Sequence, residues 1–198
     1  MAKATGRQGM PALRLVRPVV LIGLMGAGKS SVGARLAKLL GGRFRDSDAE
    51  IERAANLTVP EIFERYGEGY FRDGERKVIA RLLGGKPKVL ATGGGAFMDA
   101  ETRKLIAERA VSVWLTADLE LLVHRTAGRT HRPLLNKDDP RAILAGLIET
   151  RYPVYAEADV QVESLPGQTH DEMARRIVAA LEDHGARTGK VALERRTE

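Results

Sequence analysis

The sequence Gly23-Leu24-Met25-Gly26-Ala27-Gly28-Lys29-Ser30-Ser31 sets a lysine and two serines directly after three spaced glycines. In the order G-x-x-x-x-G-K-[ST], small residues let consecutive backbone N–H groups converge on phosphate oxygens with no Cβ in the way. Lys29 would neutralise the outer phosphates, and Ser30 would hold Mg²⁺. Gly26, Ala27, Gly28, Lys29, Ser30 and Ser31 are therefore read as the grip on a nucleoside triphosphate. A dinucleotide fits less well, because position 31 is Ser and a lysine in the loop suits a triphosphate better.

Four other groups could do chemistry. Asp46 and Asp48 offer two carboxylates on either side of Ser47. Arg72 and Glu75, three apart in a helical pattern, can pair, as a solvated surface pair or as part of a site. Gly93-Gly94-Gly95 implies close approach by a ligand or by another backbone. The stretch from Arg125 through Gly128, Arg129, His131 and Arg132 to Pro133 is polar and basic, as a phosphate-covering lid requires.

The elements that must position these groups alternate. Val19–Ile22 reads as a buried strand, and Val32, Leu36, Leu39 and Leu40 mark a helix whose positive end meets the same anion. Gly41-Gly42 closes that helix. Residues 43–48 read as a short strand ending in the two aspartates, at the carboxyl edge where open α/β sheets bind ligands. The plainer role for Asp48 is to cap the helix of Ile51, Ala54 and Ala55. Thr58 with Glu61 forms a capping box on a short helix that Gly67 ends. In the helix after it, Phe71, Val78, Ile79 and Leu82 share a face, so Arg72, Glu75 and Arg76 are expected to project from others. Then come a strand at 88–92 running into the glycines, a helix over 99–109, a strand over 111–115 and a helix over about 118–125. A helix from Pro140 ends around residues 151–153, a last strand spans 160–162, and an amphipathic helix closes the domain over 169–182. This alternation predicts a parallel sheet covered on both faces.

The totals fit one domain. A chain of 198 residues with 43% hydrophobic residues can bury a substantial core. Without cysteine it has no disulfides or thiolate metal sites, which suits a cytoplasmic protein. No apolar run approaches the roughly 20 residues that span a bilayer. The net charge of +6 sits mostly at the ends: residues 1–18 hold +4 and residues 183–198 hold +1, leaving +1 for residues 19–182. That distribution gives little reason to expect a nucleic-acid face. Residues 1–18 read as a basic, disordered lead-in and residues 183–198 as a frayed tail around a single domain over 19–182. An acid-free, arginine-bearing start also has the character of an organelle transit peptide, although it is short and lacks serine.

Taken together, the chain resembles the shikimate kinases, small members of the nucleoside monophosphate kinase-like P-loop group. The resemblance covers residues 18–182 and is carried by the phosphate loop, Asp46-Ser47-Asp48, Phe71-Arg72 with Glu75, Gly93-Gly94-Gly95, Arg132-Pro133-Leu134-Leu135 and Arg151-Tyr152-Pro153. It implies a three-layer α/β fold with five parallel strands in the order 2-3-1-4-5 and a mobile lid at about 125–136. It also implies ATP as cosubstrate, one Mg²⁺ per subunit, and phosphoryl transfer to the 3-hydroxyl of shikimate on the way to aromatic amino acids. Asp48, Arg72, Gly94 and Arg151 fall on shikimate-binding positions, with Gly95 beside them. Gly26 to Ser31 and Arg132 fall on ATP positions, and Ser30 falls on the magnesium ligand.

The residue chemistry agrees with that assignment. Shikimate carries a carboxylate and three hydroxyls, so guanidinium forks from Arg72 and Arg151 and an acceptor at Asp48 are the groups it needs. Glu75 would hold Arg72 in place. Asp48 would orient the attacking hydroxyl and take its proton, with Lys29 and Arg132 acting on the phosphates and Asp46 reaching the metal through water. Arg125 and Gln168 are further candidates on the ATP side. Arg129 and His131 have no role in the motif. The expected enzyme is a monomer with no nucleic-acid or membrane partner. A gluconate or nucleoside monophosphate kinase would keep the phosphate loop and lid without needing Asp48, Arg72 and Arg151. A nucleotide-dependent switch would need no acceptor site.

Overall fold

The computed structural model describes residues 13–127 and 139–196. Its centre is β2 (Val19–Ile22), every residue of which is buried. Strands β3 (Arg43–Asp46), β4 (Lys88–Ala91), β5 (Val111–Thr116) and β6 (Val160–Glu163) join it in the order β3-β4-β2-β5-β6. All four pairings are parallel. Setting aside a short strand β1 (Leu13–Leu15) that precedes them, this is the expected 2-3-1-4-5 arrangement. The fully buried β2 and β5 carry Val, Ile, Leu and Trp without alternation, as strands covered on both faces do.

Helix α1 (Lys29–Leu39) packs with α7 (His170–Thr188) over β3, β4 and β6. Helices α3 (Val59–Leu82), α4 (Ala100–Arg109) and α6 (Pro140–Tyr155) meet around a 3₁₀ turn at Ala96–Met98. Helix α2 (Ser47–Ala55) lies against α3, and α5 (Leu119–Thr126) lies against α6. Gly67, at φ 78°, kinks α3 into the two expected helical pieces. Since strand order reverses between β4 and β5 on either side of β2, the crevice for a ligand opens at the carboxyl ends of these strands.

Several expectations need correction. Residues 13–15 and 193–195 are not loose tails: β1 pairs antiparallel with β7 (Leu193–Arg195), and Leu13, Ala192 and Leu193 are buried in the core. This ribbon lies at the amino ends of the parallel strands, where the Pro18 carbonyl accepts from Val111 N and Lys190 pairs with Asp159 at 2.8 Å. Helix α7 runs on to Thr188 and stops at Gly189, whose φ of 73° suits a C-cap. Helix α6 continues past Pro153 to Tyr155, because the Tyr152 and Tyr155 hydroxyls anchor its last turns to the Ala117 and Gly94 carbonyls. Strand β3 stops at Asp46, so Asp48 belongs to the first turn of α2. Among the described residues, no helix is long and apolar enough to cross a membrane.

Candidate active site

Among the described residues, six of the seven α-helices begin with a side-chain cap: Asp46, Thr58, Asp99, Asp118, Asp139 and Thr169 each accept from a first-turn N–H. Helix α1 is the exception. Its N-cap is Gly28 at φ 93°, it has no side-chain cap, and no acid stands in its first turn. Its N–H groups and dipole are left for an external anion. The Lys29 ammonium lies over the loop and donates to the Gly23 and Leu24 carbonyls at 2.7 and 3.0 Å. A side chain at Gly26 would be strained, because φ is 87° and its Cβ would also stand 3.1 Å from Thr126.

The end of β3 sorts its two aspartates into different roles. Asp46 is the N-cap of α2, accepting from Asp48 N at 3.1 Å, so the capping duty considered for Asp48 belongs to Asp46. The other Asp46 oxygen accepts from Ser30 Oγ at 2.7 Å, which ties β3 to the start of α1. Asp48 is thereby free to face the crevice. Burial and the Asp46 charge raise its pKa, opposed by the Lys29 ammonium and a bond from Ser47. The influence of Lys29 on Asp48 brings the phosphate loop and this carboxylate to one site.

The glycines at the end of β4 explain themselves one by one. A Cβ on Gly93 would stand 2.8 Å from Asp48 Oδ1 and 3.0 Å from Glu75 Oε1. On Gly94 it would stand 3.0 Å from Arg151 Nη1, and on Gly95 2.5 Å from Arg72 Nη1. Three successive residues thus back onto the side chains that the sequence nominates for the acceptor. Asp48, Arg72 and Arg151 come from α2, α3 and α6 and converge on one loop, beside a phosphate loop whose Gly23 carbonyl lies 3.6 Å from the Gly94 Cβ position.

Glu75 differs from expectation. It sits one turn from both Phe71 and Ile79, so it joins the buried stripe of α3 rather than projecting outward. One of its oxygens accepts from Arg72 Nη1 at 2.7 Å, while Oε1 is buried with no partner among the described residues. Burial, the largest influence, pushes its carboxyl up to about 7, against the Arg72 guanidinium and with help from Asp48 and Asp99. A carboxyl raised in this way takes up a proton on folding, so the native state is favoured below its ordinary range of 4.5 and loses that advantage as pH climbs through about 7. The stability of the wild type should therefore fall relative to Glu75→Gln across that window, by on the order of 3 kcal/mol. Thermal melts of both proteins as a function of pH check this, and parallel curves would mean that the folded protein keeps Glu75 ionised throughout.

Arg125 at the end of α5 donates to Ser164 Oγ at 2.8 Å and reaches the Gly26 carbonyl at 3.5 Å and the Leu165 carbonyl at 3.4 Å. It joins the phosphate loop to the turn before α7. Gln168 lies in that turn, where its Oε1 accepts from Leu165 N and Arg176. Arg132, Arg129 and His131, with most of the expected lid, lie outside the described residues.

Sequence reasoning missed two residues. Ser47 is fully buried, accepts from Gly93 N at 3.2 Å and donates to Asp48 at 3.4 Å. Its signal was a small hydroxyl between two aspartates at a strand end. Tyr155 is fully buried and donates to the Gly94 carbonyl, and its signal was an aromatic one helical turn after Arg151.

The parallel sheet, the glycine loop before α1 and its uncapped N-terminus together define a P-loop kinase. The family model for shikimate kinase matches residues 25–182. A shikimate kinase of Paramagnetospirillum magneticum is 62% identical over 151 residues, 76% of this chain and 77% of that protein. One of Caulobacter vibrioides is 60% identical over 166 residues, 83% and 82% of the two chains. The solved shikimate kinase from Acinetobacter baumannii in complex with shikimate superposes with a TM-score of 0.81 at 40% identity, covering 84% of this chain and 93% of that one. The chain belongs to the shikimate kinase family.

Proposed function

We propose that this kinase transfers the γ-phosphoryl group of ATP to the 3-hydroxyl of shikimate, with Arg72 and Arg151 gripping the acceptor carboxylate and Asp48 its hydroxyl. The observation that carries the reading is the glycine loop: Gly93, Gly94 and Gly95 each leave room for a different member of that set. A planar carboxylate is matched by forked guanidinium donors. Asp48 orients the attacking oxygen and accepts its proton, a role suited by a carboxylate whose pKa is raised. Lys29, the N–H groups of residues 26–31 and Arg132 stabilise charge on the phosphates, and Arg125 and Gln168 lie toward the nucleoside.

Mg²⁺ is tested by the chemistry of its donors. Ser30 Oγ and Asp46 Oδ2 are hard oxygen ligands 2.7 Å apart at the start of α1. Among the described residues there is no group of three or more His, Asp or Glu side chains that could hold a metal. An ion held by one or two protein oxygens takes its remaining ligands from substrate phosphates and water. Ser30, with Asp46 acting through water, would hold it, and the ion would neutralise phosphate charge during transfer. We further infer a monomer working in the cytoplasm without nucleic-acid or membrane partners. Residues 19–182 carry a charge of only +1, which gives no basic face for a nucleic acid.

A coupled ADP-release assay over a panel of hydroxylated acids, gluconate and nucleoside monophosphates tests the acceptor. ADP should be released at an appreciable rate only with shikimate. Turnover with gluconate or a nucleoside monophosphate instead would overturn the reading, and ATP consumption independent of any acceptor would point to a nucleotide switch.

A further inference from the structure

The carbonyl of Gly94 and the N–H of Gly95 belong to one peptide unit, and no peptide bond in the described residues is cis. In a trans unit the two groups point in opposite directions. The carbonyl points at Tyr155, whose hydroxyl donates to it. The Gly95 N–H has no acceptor among the described residues, and it sits in the loop that Arg72, Arg151 and Asp48 surround. Tyr155 itself is fully buried, with its ring edge-on to Trp114 and Phe97 at centroid separations of 6.1 and 6.4 Å. Such a ring cannot swing away without breaking the core around it. Arg151 stands one turn earlier on the same helix, with its guanidinium against the same phenol.

We propose that Tyr155 is a positioning residue for the acceptor: by clamping the Gly94 carbonyl it turns the Gly95 N–H into the pocket as a fixed donor and sets Arg151 in register with it. The proposal deepens the shikimate reading and rests on it. It also gives the extension of α6 beyond Pro153 a purpose, since a helix ending at the proline would bring no phenol to this loop.

The same helix supplies the control. Tyr152 donates to the Ala117 carbonyl at 2.6 Å, an equivalent phenol–carbonyl bond remote from the glycine loop. Tyr155→Phe should raise KM for shikimate about fivefold to tenfold, the size of one buried hydrogen bond, and leave KM for ATP unchanged. Tyr152→Phe should lose comparable thermal stability and keep the wild-type KM for shikimate. Combined with Arg151→Lys, Tyr155→Phe should add less than it does alone, because the two residues serve one grip. An unchanged KM in Tyr155→Phe, or the same rise in Tyr152→Phe, overturns the proposal. Should the Tyr155 variant fail to fold, the wild type decides: in ¹⁵N-labelled protein the Gly95 amide must shift on titration with shikimate, and a stationary Gly95 signal at saturation sinks the idea. Absence of any shikimate turnover by the wild type would instead remove the acceptor reading itself.

Discussion

Asp48→Asn should lower kcat for shikimate phosphorylation by about 10²- to 10⁴-fold, the range for loss of a general base. Both KM values should stay near those of the wild type. Asparagine keeps the shape of the side chain and an oxygen to receive the hydroxyl, and it removes the charge and the capacity to take a proton. The backbone around it has no reason to move, since the α2 cap is Asp46 and the bond from Asp48 N to that cap survives. Ser47, donating from the adjacent position, still finds an amide oxygen. Because burial and Asp46 raise the Asp48 pKa, the wild-type kcat/KM should fall on the acid side at a pH above the ordinary aspartate range. That limb should vanish in the variant. A variant that binds both substrates and retains most of its turnover would remove Asp48 from the chemistry.

Arg72→Ala should raise KM for shikimate about 100-fold, roughly 3 kcal/mol for a forked, charge-assisted contact with a carboxylate. KM for ATP should stay close to wild type. Arg72→Lys should recover little of the loss, because an ammonium cannot fork. Stability should change less than the removal of an ion pair suggests. Glu75, left without its 2.7 Å partner, already sits where burial favours its neutral form, and it can take a proton instead of remaining an isolated charge. Gly95→Ala offers an independent route to the same defect, since its Cβ would occupy space now filled by the Arg72 guanidinium. That end of a flexible side chain can give way, so the variant should fold and yet bind shikimate poorly. An Arg72→Ala enzyme with an unaltered KM for shikimate would end the carboxylate-fork account.

What could be read in the sequence was whatever short spacing dictates. The loop from Gly23 to Ser30 and the break at Gly67 each encode a local backbone demand, and the fold places them as expected, whereas the three glycines after β4 make room for side chains from distant segments rather than for the ligand or backbone that the sequence suggests. Contacts between distant segments were hidden. Glu75 reads as projecting away from the face of Phe71, Val78, Ile79 and Leu82, although its spacing of four from both Phe71 and Ile79 puts it on that buried face. Ser47 and Tyr155 act on Gly93 and Gly94, neighbours only after β4 has paired with β3 and α6 has packed nearby. Strands β1 and β7, three residues each, carry no periodicity long enough to notice and find partners some 180 positions away. Pro153 suggested an ending, but near the end of a helix a proline forfeits one hydrogen bond, and two phenols hold the following turn in place.

The β1–β7 ribbon has a practical corollary. With Leu13 opposite Arg195 and Leu15 opposite Leu193, the flanks of the domain leave side by side, at the amino ends of the parallel strands and away from the phosphate loop. A short splice could join them, so the polypeptide should accept circular permutation with new ends opened in a surface turn such as Gly84-Gly85. Surface tethers or reporter fusions attached at either flank should likewise leave catalysis undisturbed.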